Sequence, residues 1–161
     1  MSELNLQERA ALFASKKHIK QKRKYSGEPY VNHCIAVATS VSGFTEDEEV
    51  IAAAYLHDTL EDTDTTLDEL VENFGERVAQ FVHDLTDKYT KEEYPNLNRA
   101  ERKHLEALRL KGVRPESKLI KYFDIMDNSS SIFHHDTRFA KKYLKEKQFI
   151  MSYSLADVEF N

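Results

Sequence analysis

Apolar residues recur along the chain at spacings of three and four. Leu6, Ala10, Phe13 and Ala14 mark one face of a helix expected over residues 4–22. Ser26-Gly27 and Pro29 interrupt that pattern, so residues 23–30 read as a loop. Helical periodicity resumes over residues 31–42. Thr45 and Glu48 have capping-box spacing ahead of the run 50–56, which is apolar on every side and so predicts a central helix. Residues 62–66 read as a polar turn. Thr66 with Glu69 forms a second capping box, Gly75 is a helix stop, and helix continues over 78–85. After a polar loop over 87–98, helices are expected at 99–110, 116–132 and 138–153. No alternation of period two lasts long enough to make a sheet.

Composition sharpens this picture. Only 4 glycines and 3 prolines punctuate 161 residues, which favours an all-α fold. The length fits a single domain over 1–161 with a sizeable core. The formal net charge of −5 argues against a cationic nucleic-acid binder but leaves room for a local basic patch that takes an anion. Cys34 is the lone cysteine, so no disulfide can form within the chain and a reducing compartment is expected. The N-terminal residues show no basic-then-apolar signal, and no apolar run is long enough to span a membrane. The expected location is cytoplasmic, with no membrane partner. No feature of the sequence sets an oligomeric state.

The chemistry concentrates in AAYLHDTLEDT, residues 53–63. His57 and Asp58 follow an apolar helix directly, and Glu61 and Asp62 come three residues later. Such a cluster of acids is unfavourable unless something positive sits among them. Neighbours on a helix point about 100° apart, so one ion can touch both His57 and Asp58 only at the helix end. Further ligands must then come from other helices. His33 lies on an apolar helix, and Asp124 lies beside Ile120 and Phe123, where a carboxylate is costly unless paired or ligating. Taken singly, each fits a hydrogen-bonded core histidine or a salt-bridge partner. Taken with the His57-Asp58 pair, they favour a metal site.

The order His33, His57-Asp58, Asp124 resembles the HD superfamily of metal-dependent phosphohydrolases. The segments RKYSGEPYVNHCIAVA, AAYLHDTLEDT, FGERVAQFVHDLTDK, AERKHLEA and SKLIKYFD resemble, more narrowly, the hydrolase domain of RelA/SpoT homologues in its small stand-alone form. The resemblance runs from about His18 to Asn128. It implies a helical HD-domain fold with one Mn²⁺ between central helices, held by His33, His57, Asp58 and Asp124. Other divalent transition metals suit the same ligands. It further implies that Glu61 and Asp62 position or activate the attacking water. Arg23, Lys24, Lys88, Arg99, Lys103 and Asn128 match places where the family holds base, sugar and phosphates. Arg102 and Lys103 are adjacent on one helix, so one of them is expected to face the site. Tyr30 could serve the site or the core.

The chain also departs from the family. Where HxGQxRKSGEPY is usual it reads HIKQKRKYSGEPY, with Lys20 for glycine and an extra Tyr25. Where DRLHN is usual it reads DIMDN, and Asp127 is expected to place negative charge near the phosphate pocket. Cys34 stands where proline is common. His134 and His135 lie too far along the helix to share the ion of Asp124 and read as a turn, with Asp136 or Thr137 capping the next helix. His83 and His104 read as structural, and Cys34 lacks the base partner a nucleophile needs.

The leading expectation is an enzyme acting on an anionic nucleotide, (p)ppGpp, by removing the 3′-pyrophosphate. The chain is too short for synthetase and regulatory domains, so degradation is the expected activity. The alternatives are an HD phosphohydrolase for another nucleotide (a dNTP, a nucleoside monophosphate or NADPH) and a nucleotide-binding module without turnover. The Glu61-Asp62 pair favours turnover.

Overall fold

In the computed structural model, which describes residues 3–160, the elements are α1 (Leu6–Lys17), α2 (Val31–Ser42), α3 (Glu48–Leu56), α4 (Thr59–Asp62), α5 (Leu67–Phe74), α6 (Glu76–Leu85), α7 (Arg99–Lys111), α8 (Pro115–His135) and α9 (Thr137–Phe149), closed by a π-helical turn (Ile150–Ser154). The only β pairing among the described residues is an isolated bridge between Lys22 and Pro29.

The apolar run takes the central place its pattern demands. In α3, Ala52, Ala53, Ala54 and Leu56 are fully buried, and α1, α2 and α6 pack around them. Alanines let those helices approach closely, and Leu56, Phe81 and Ile120 fill the remaining space. A smaller cluster joins α7, α8 and the C-terminal turn through Ala107, Leu110, Ile125, Ile150 and Leu155. Helix α8 serves both, with Ile120 in one and Ile125 in the other. Asp124 lies at that junction. Phe81, 1% exposed beneath the Arg77 guanidinium, keys α6 to this core. Phe81→Ala is expected to cost about 3–5 kcal/mol, read as a lower urea midpoint.

Several boundaries differ from the sequence expectations for local reasons. Helix α1 ends at Lys17, because His18 is buried, bonds Gln21 Oε1 through Nδ1 at 2.9 Å, and turns the chain toward the Lys22–Pro29 bridge. At the start of α3 there is no Thr45–Glu48 box. Thr45 Oγ1 accepts from the Asp47 N–H and Asp47 caps the Glu49 N–H. Thr66 caps the Glu69 N–H as expected. Asn5 with Glu8 and Asn98 with Glu101 form full capping boxes. Gly75, at φ +89°, joins α5 to α6 in a backbone region that favours glycine. His134 and His135 belong to the last turn of α8 rather than to a connecting turn, and Asp136 caps α9 at the Phe139 N–H.

Candidate active site

The His57-Asp58 pair sits at a helix break. His57 is the C-cap of α3 and Asp58 the N-cap of α4. Thr59 secures the break by donating its hydroxyl to the Leu56 carbonyl at 2.7 Å. Both side chains can therefore turn toward one point despite being adjacent. His33 comes from α2 and Asp124 from α8, each buried. One ligand-capable atom from each of the four lies within 4.8 Å of the others.

The spacing within this group suits an ion. His33 Nε2 stands 3.0 Å from Asp124 Oδ1 and 3.6 Å from Asp58 Oδ2. His57 Nε2 stands 3.1 Å from Asp58 Oδ2 and 3.3 Å from Asp124 Oδ1. Ligand distances of about 2.0–2.2 Å put neighbouring donors about 2.8–3.6 Å apart in octahedral or tetrahedral arrangements. The outer contacts agree. His33 Nδ1–H donates to Asp127 Oδ2 at 2.7 Å, and His57 Nδ1–H donates to the Ala54 carbonyl at 2.7 Å. Each ring thereby keeps an Nε2 lone pair for a ligand role. The Tyr30 hydroxyl donates to Asp58 Oδ2 at 2.7 Å, so Tyr30 serves the site. Lys121 and Asn128 donate to Asp124, each at 3.1 Å. Burial alone would raise the Asp124 pKa, but the Lys121 ammonium beside it holds it well below the usual carboxylate range. Two imidazoles and two carboxylates with oriented outer partners fit a divalent metal.

Glu61 and Asp62 line the same cleft. Glu61 Oε1 accepts from the Asp87 N–H at 2.9 Å. Desolvation, helped by the Asp87 carboxylate, pushes Glu61 up to about 7. Desolvation and Asp58 push Asp62 up to about 6. Two carboxylates near neutral pKa beside a metal site can accept a proton at working pH.

The neighbouring hollow is rich in cations. Arg23, Lys24, Arg99, Lys103 and Asn128 line a hollow continuous with the cleft through Tyr30, Asn128, Tyr143 and Lys147. Arg23 pairs with Asp127 at 3.1 Å, and Arg99 grips Glu146 through Nε at 2.7 Å. The Lys24 ammonium lies over the rings of Tyr25 and Phe139. Tyr25 in turn stacks against His135, with centroids 6.2 Å apart and planes 6° apart. Of the adjacent pair, Lys103 reaches this hollow; Arg102 bonds the Leu97 carbonyl and, with Lys103, lines a further pocket bordered by Glu61 and Asp62.

Lys88 is not among the cleft-lining residues. Buried Glu106 takes the backbone N–H groups of Lys88 and Tyr89, each at 2.8 Å, and the Lys88 ammonium lies over Tyr89 on the exposed side. The cleft takes Lys121, Tyr143 and Lys147 instead. Sequence reasoning missed these three. Lys121, one turn before Asp124 on the same face, carried a readable signal. Tyr143 and Lys147 did not, because they reach the cleft only through the fold-back of α9 on α8. Asp127 also differs from expectation. Its charge is spent on His33 and Arg23 rather than set free in the phosphate pocket.

Residues 10–143 match the HD domain family, and the chain belongs to it. The family and the donor set together imply a divalent metal. Among curated relatives, the guanosine-3′,5′-bis(diphosphate) 3′-pyrophosphohydrolase of Aquifex aeolicus is 41% identical over 143 residues, 86% of this chain and 19% of that protein. Human guanosine-3′,5′-bis(diphosphate) 3′-pyrophosphohydrolase MESH1 is 45% identical over 123 residues, 74% of this chain and 65% of that one. The chain thus spans less than two thirds of either relative. A solved structure described as a metazoan ortholog of SpoT that hydrolyses ppGpp superposes with a TM-score of 0.84 at 29% identity, covering 100% of this chain and 91% of that one. The all-helical HD-domain fold is therefore shared. No helix among the described residues is long and apolar enough to cross a membrane.

Proposed function

We propose that the chain is a divalent-metal-dependent phosphohydrolase that converts ppGpp and water to GDP and pyrophosphate. The carrying observation is a four-donor metal centre with the Glu61-Asp62 pair in a cleft that adjoins a cationic and aromatic hollow. The relatives bearing that activity by name support the choice of substrate. Mn²⁺ is the proposed ion, held by His33, His57, Asp58 and Asp124. The donor set would equally accept Fe²⁺, Co²⁺ or Zn²⁺, so Mn²⁺ rests on the family resemblance. When bound, the ion supplies Lewis acidity toward water and the 3′-phosphate.

The remaining work falls to side chains. Glu61 and Asp62 orient the attacking water and take its proton. Lys121 and Lys147, beside Asn128 and Tyr143, offset the charge of the pyrophosphate. Arg99 and Lys103 meet the more distant phosphates, and Arg23, Lys24 and Tyr25 frame the base. Lys88 drops out of the binding set on the geometry above. The test is a panel of ppGpp, pppGpp, NADPH, dNTPs and nucleoside monophosphates, with Mn²⁺ and after chelation. Release of pyrophosphate from ppGpp supports the assignment. Intact ppGpp beside cleavage of another member ends it and leaves the broader phosphohydrolase. Tight nucleotide binding without any cleavage favours the binding module.

Lys147 gives this reading a pH signature. No carboxylate among the described residues forms an ion pair with it. Burial, then Lys121 and Lys103, lower its pKa to about 8. Its charge is therefore present below that value and lost above it. The KM for ppGpp is expected to rise about tenfold as pH climbs through this range, the weight of one charge-assisted hydrogen bond. Lys147→Arg, charged throughout, should flatten that rise; an equal rise in both proteins would remove Lys147 from the binding set.

A further inference from the structure

Asp127 stands where two networks meet. Its Oδ2 accepts from His33 Nδ1 at 2.7 Å and from Arg23 Nη1 at 3.1 Å. Arg23 Nη2 reaches Asn128 Oδ1 at 3.4 Å, and Asn128 Nδ2 donates to Asp124 Oδ1 at 3.1 Å. Asp124 Oδ1 returns to His33 Nε2 at 3.0 Å. These contacts close a ring running His33, Asp127, Arg23, Asn128, Asp124 and back. Two members belong to the four-donor centre. Two others, Arg23 and Asn128, line the cationic hollow.

We propose that Asp127 is a positioning residue that locks His33 and Arg23 to one carboxylate, so that metal and nucleotide binding reinforce each other. The inference rests on the metal and nucleotide reading given above. A cation at His33 Nε2 makes the Nδ1–H a stronger donor, which tightens its bond to Asp127. Asp127 then holds Arg23 at the mouth of the hollow, with less side-chain freedom to lose when a nucleotide arrives. The reverse follows necessarily, because coupling between two ligands is reciprocal. A nucleotide that fixes Arg23 fixes Asp127, and with it the His33 ring. The Asn128 arm of the ring carries the same constraint to Asp124 by a second route.

The test uses the full chain and binding readouts that require no turnover. Mn²⁺ alone and GDP alone are titrated calorimetrically into wild type, Asp127→Asn, Asp127→Ala and Arg23→Ala, and GDP again at saturating Mn²⁺. Asp127→Ala is expected to weaken Mn²⁺ by 10–100-fold, the usual weight of an outer partner to a ligating histidine. Asp127→Asn, which keeps an acceptor for Nδ1–H but no charge for Arg23, should lose less Mn²⁺ affinity and still lose the Mn²⁺-dependent gain in GDP affinity. Arg23→Ala should weaken Mn²⁺ several-fold although Arg23 offers no ligand atom, a change that a purely structural role would not produce. Circular dichroism checks that each variant is folded, and the isosteric Asp127→Asn covers a collapse of Asp127→Ala. Mn²⁺ affinity within twofold of wild type in Asp127→Ala, or unchanged in Arg23→Ala, overturns the proposal. So does a gain in GDP affinity with Mn²⁺ that survives in Asp127→Asn. Wild-type protein that shows the linkage yet leaves ppGpp intact would sink the proposed reaction and keep this inference. Efficient ppGpp hydrolysis without the linkage would do the opposite.

Discussion

Asp124→Asn is expected to abolish Mn²⁺ binding and to lower ppGpp turnover by about three orders of magnitude or more. The size follows from the weight of metal catalysis, several kcal/mol of charge stabilisation, with each 1.36 kcal/mol worth a factor of ten. Asp124 is the site's hub. Its Oδ1 lies within 3.0 and 3.3 Å of both imidazoles, and its carboxylate also receives Lys121 and Asn128. Asparagine keeps the volume and one acceptor oxygen but removes the charge that faces the ion. It also leaves the Lys121 ammonium without its counter-charge, so the pocket becomes more cationic where a cation must bind. Chelation of the wild-type protein should give a matching loss that added Mn²⁺ reverses, whereas added metal should restore Asp124→Asn only weakly. Hydrolysis that survives both the substitution and chelation would mean that this cluster is an ordinary buried ion-pair network. Thermal unfolding of the variant separates loss of the ion from loss of the fold.

The parts of this architecture that sequence made legible are those written in local pattern. An all-apolar run had to be central, and α3 is. A histidine and an aspartate in succession could share one ion only at a helix end, and the chain breaks between α3 and α4 at that point. His33 and Asp124 stood out because each is polar on an otherwise apolar face. What remained hidden depends on tertiary contacts. Lys88 looked like a phosphate ligand by position, but buried Glu106 captures the backbone beside it and the side chain falls on Tyr89. Lys147 looked like one more lysine in a basic helix. Its place in the cleft depends on the corner at Asp136, where α9 turns back along α8. Asp127 was visible as an unusual acid, yet its two partners lie 94 and 104 positions away in the chain, at His33 and Arg23. Such separations leave no periodic trace.

The acids that line the cleft bear on the order of events. With carboxylates at Asp58, Glu61, Asp62 and Asp87 lining the cleft, a polyphosphate approaching without a metal would meet like charge. Lys121, bonded to Asp124, and Lys147 line the same cleft and offset only part of that repulsion. Metal binding should therefore precede productive nucleotide binding. The same acids also act on one another: desolvation, with Asp58 and Asp87 nearby, raises the pKa values of Glu61 and Asp62.

Those raised pKa values are what the Glu61-Asp62 pair is expected to use. Glu61→Gln or Asp62→Asn should keep Mn²⁺ affinity near wild type and reduce kcat by two or more orders of magnitude, a typical weight for general base catalysis. A base is most effective when its pKa lies near the working pH. Glu61 at about 7 and Asp62 at about 6 meet that condition, because desolvation and neighbouring acids disfavour their ionised forms. Neither substitution should disturb the backbone. Glutamine at 61 still offers an oxygen to the Asp87 N–H, the contact that ties α4 to the loop after α6. The metal titration is the decisive companion measurement, because Asp58, Glu61 and Asp62 themselves offer ligand atoms within 4.8 Å of one another. If Mn²⁺ affinity falls together with kcat, these acids are ligands and the base must be sought elsewhere in the cleft. If kcat falls while Mn²⁺ affinity holds, they act on the water. If both variants turn over ppGpp at the wild-type rate, the pair is a solvated turn, and the ion alone must be activating the nucleophile.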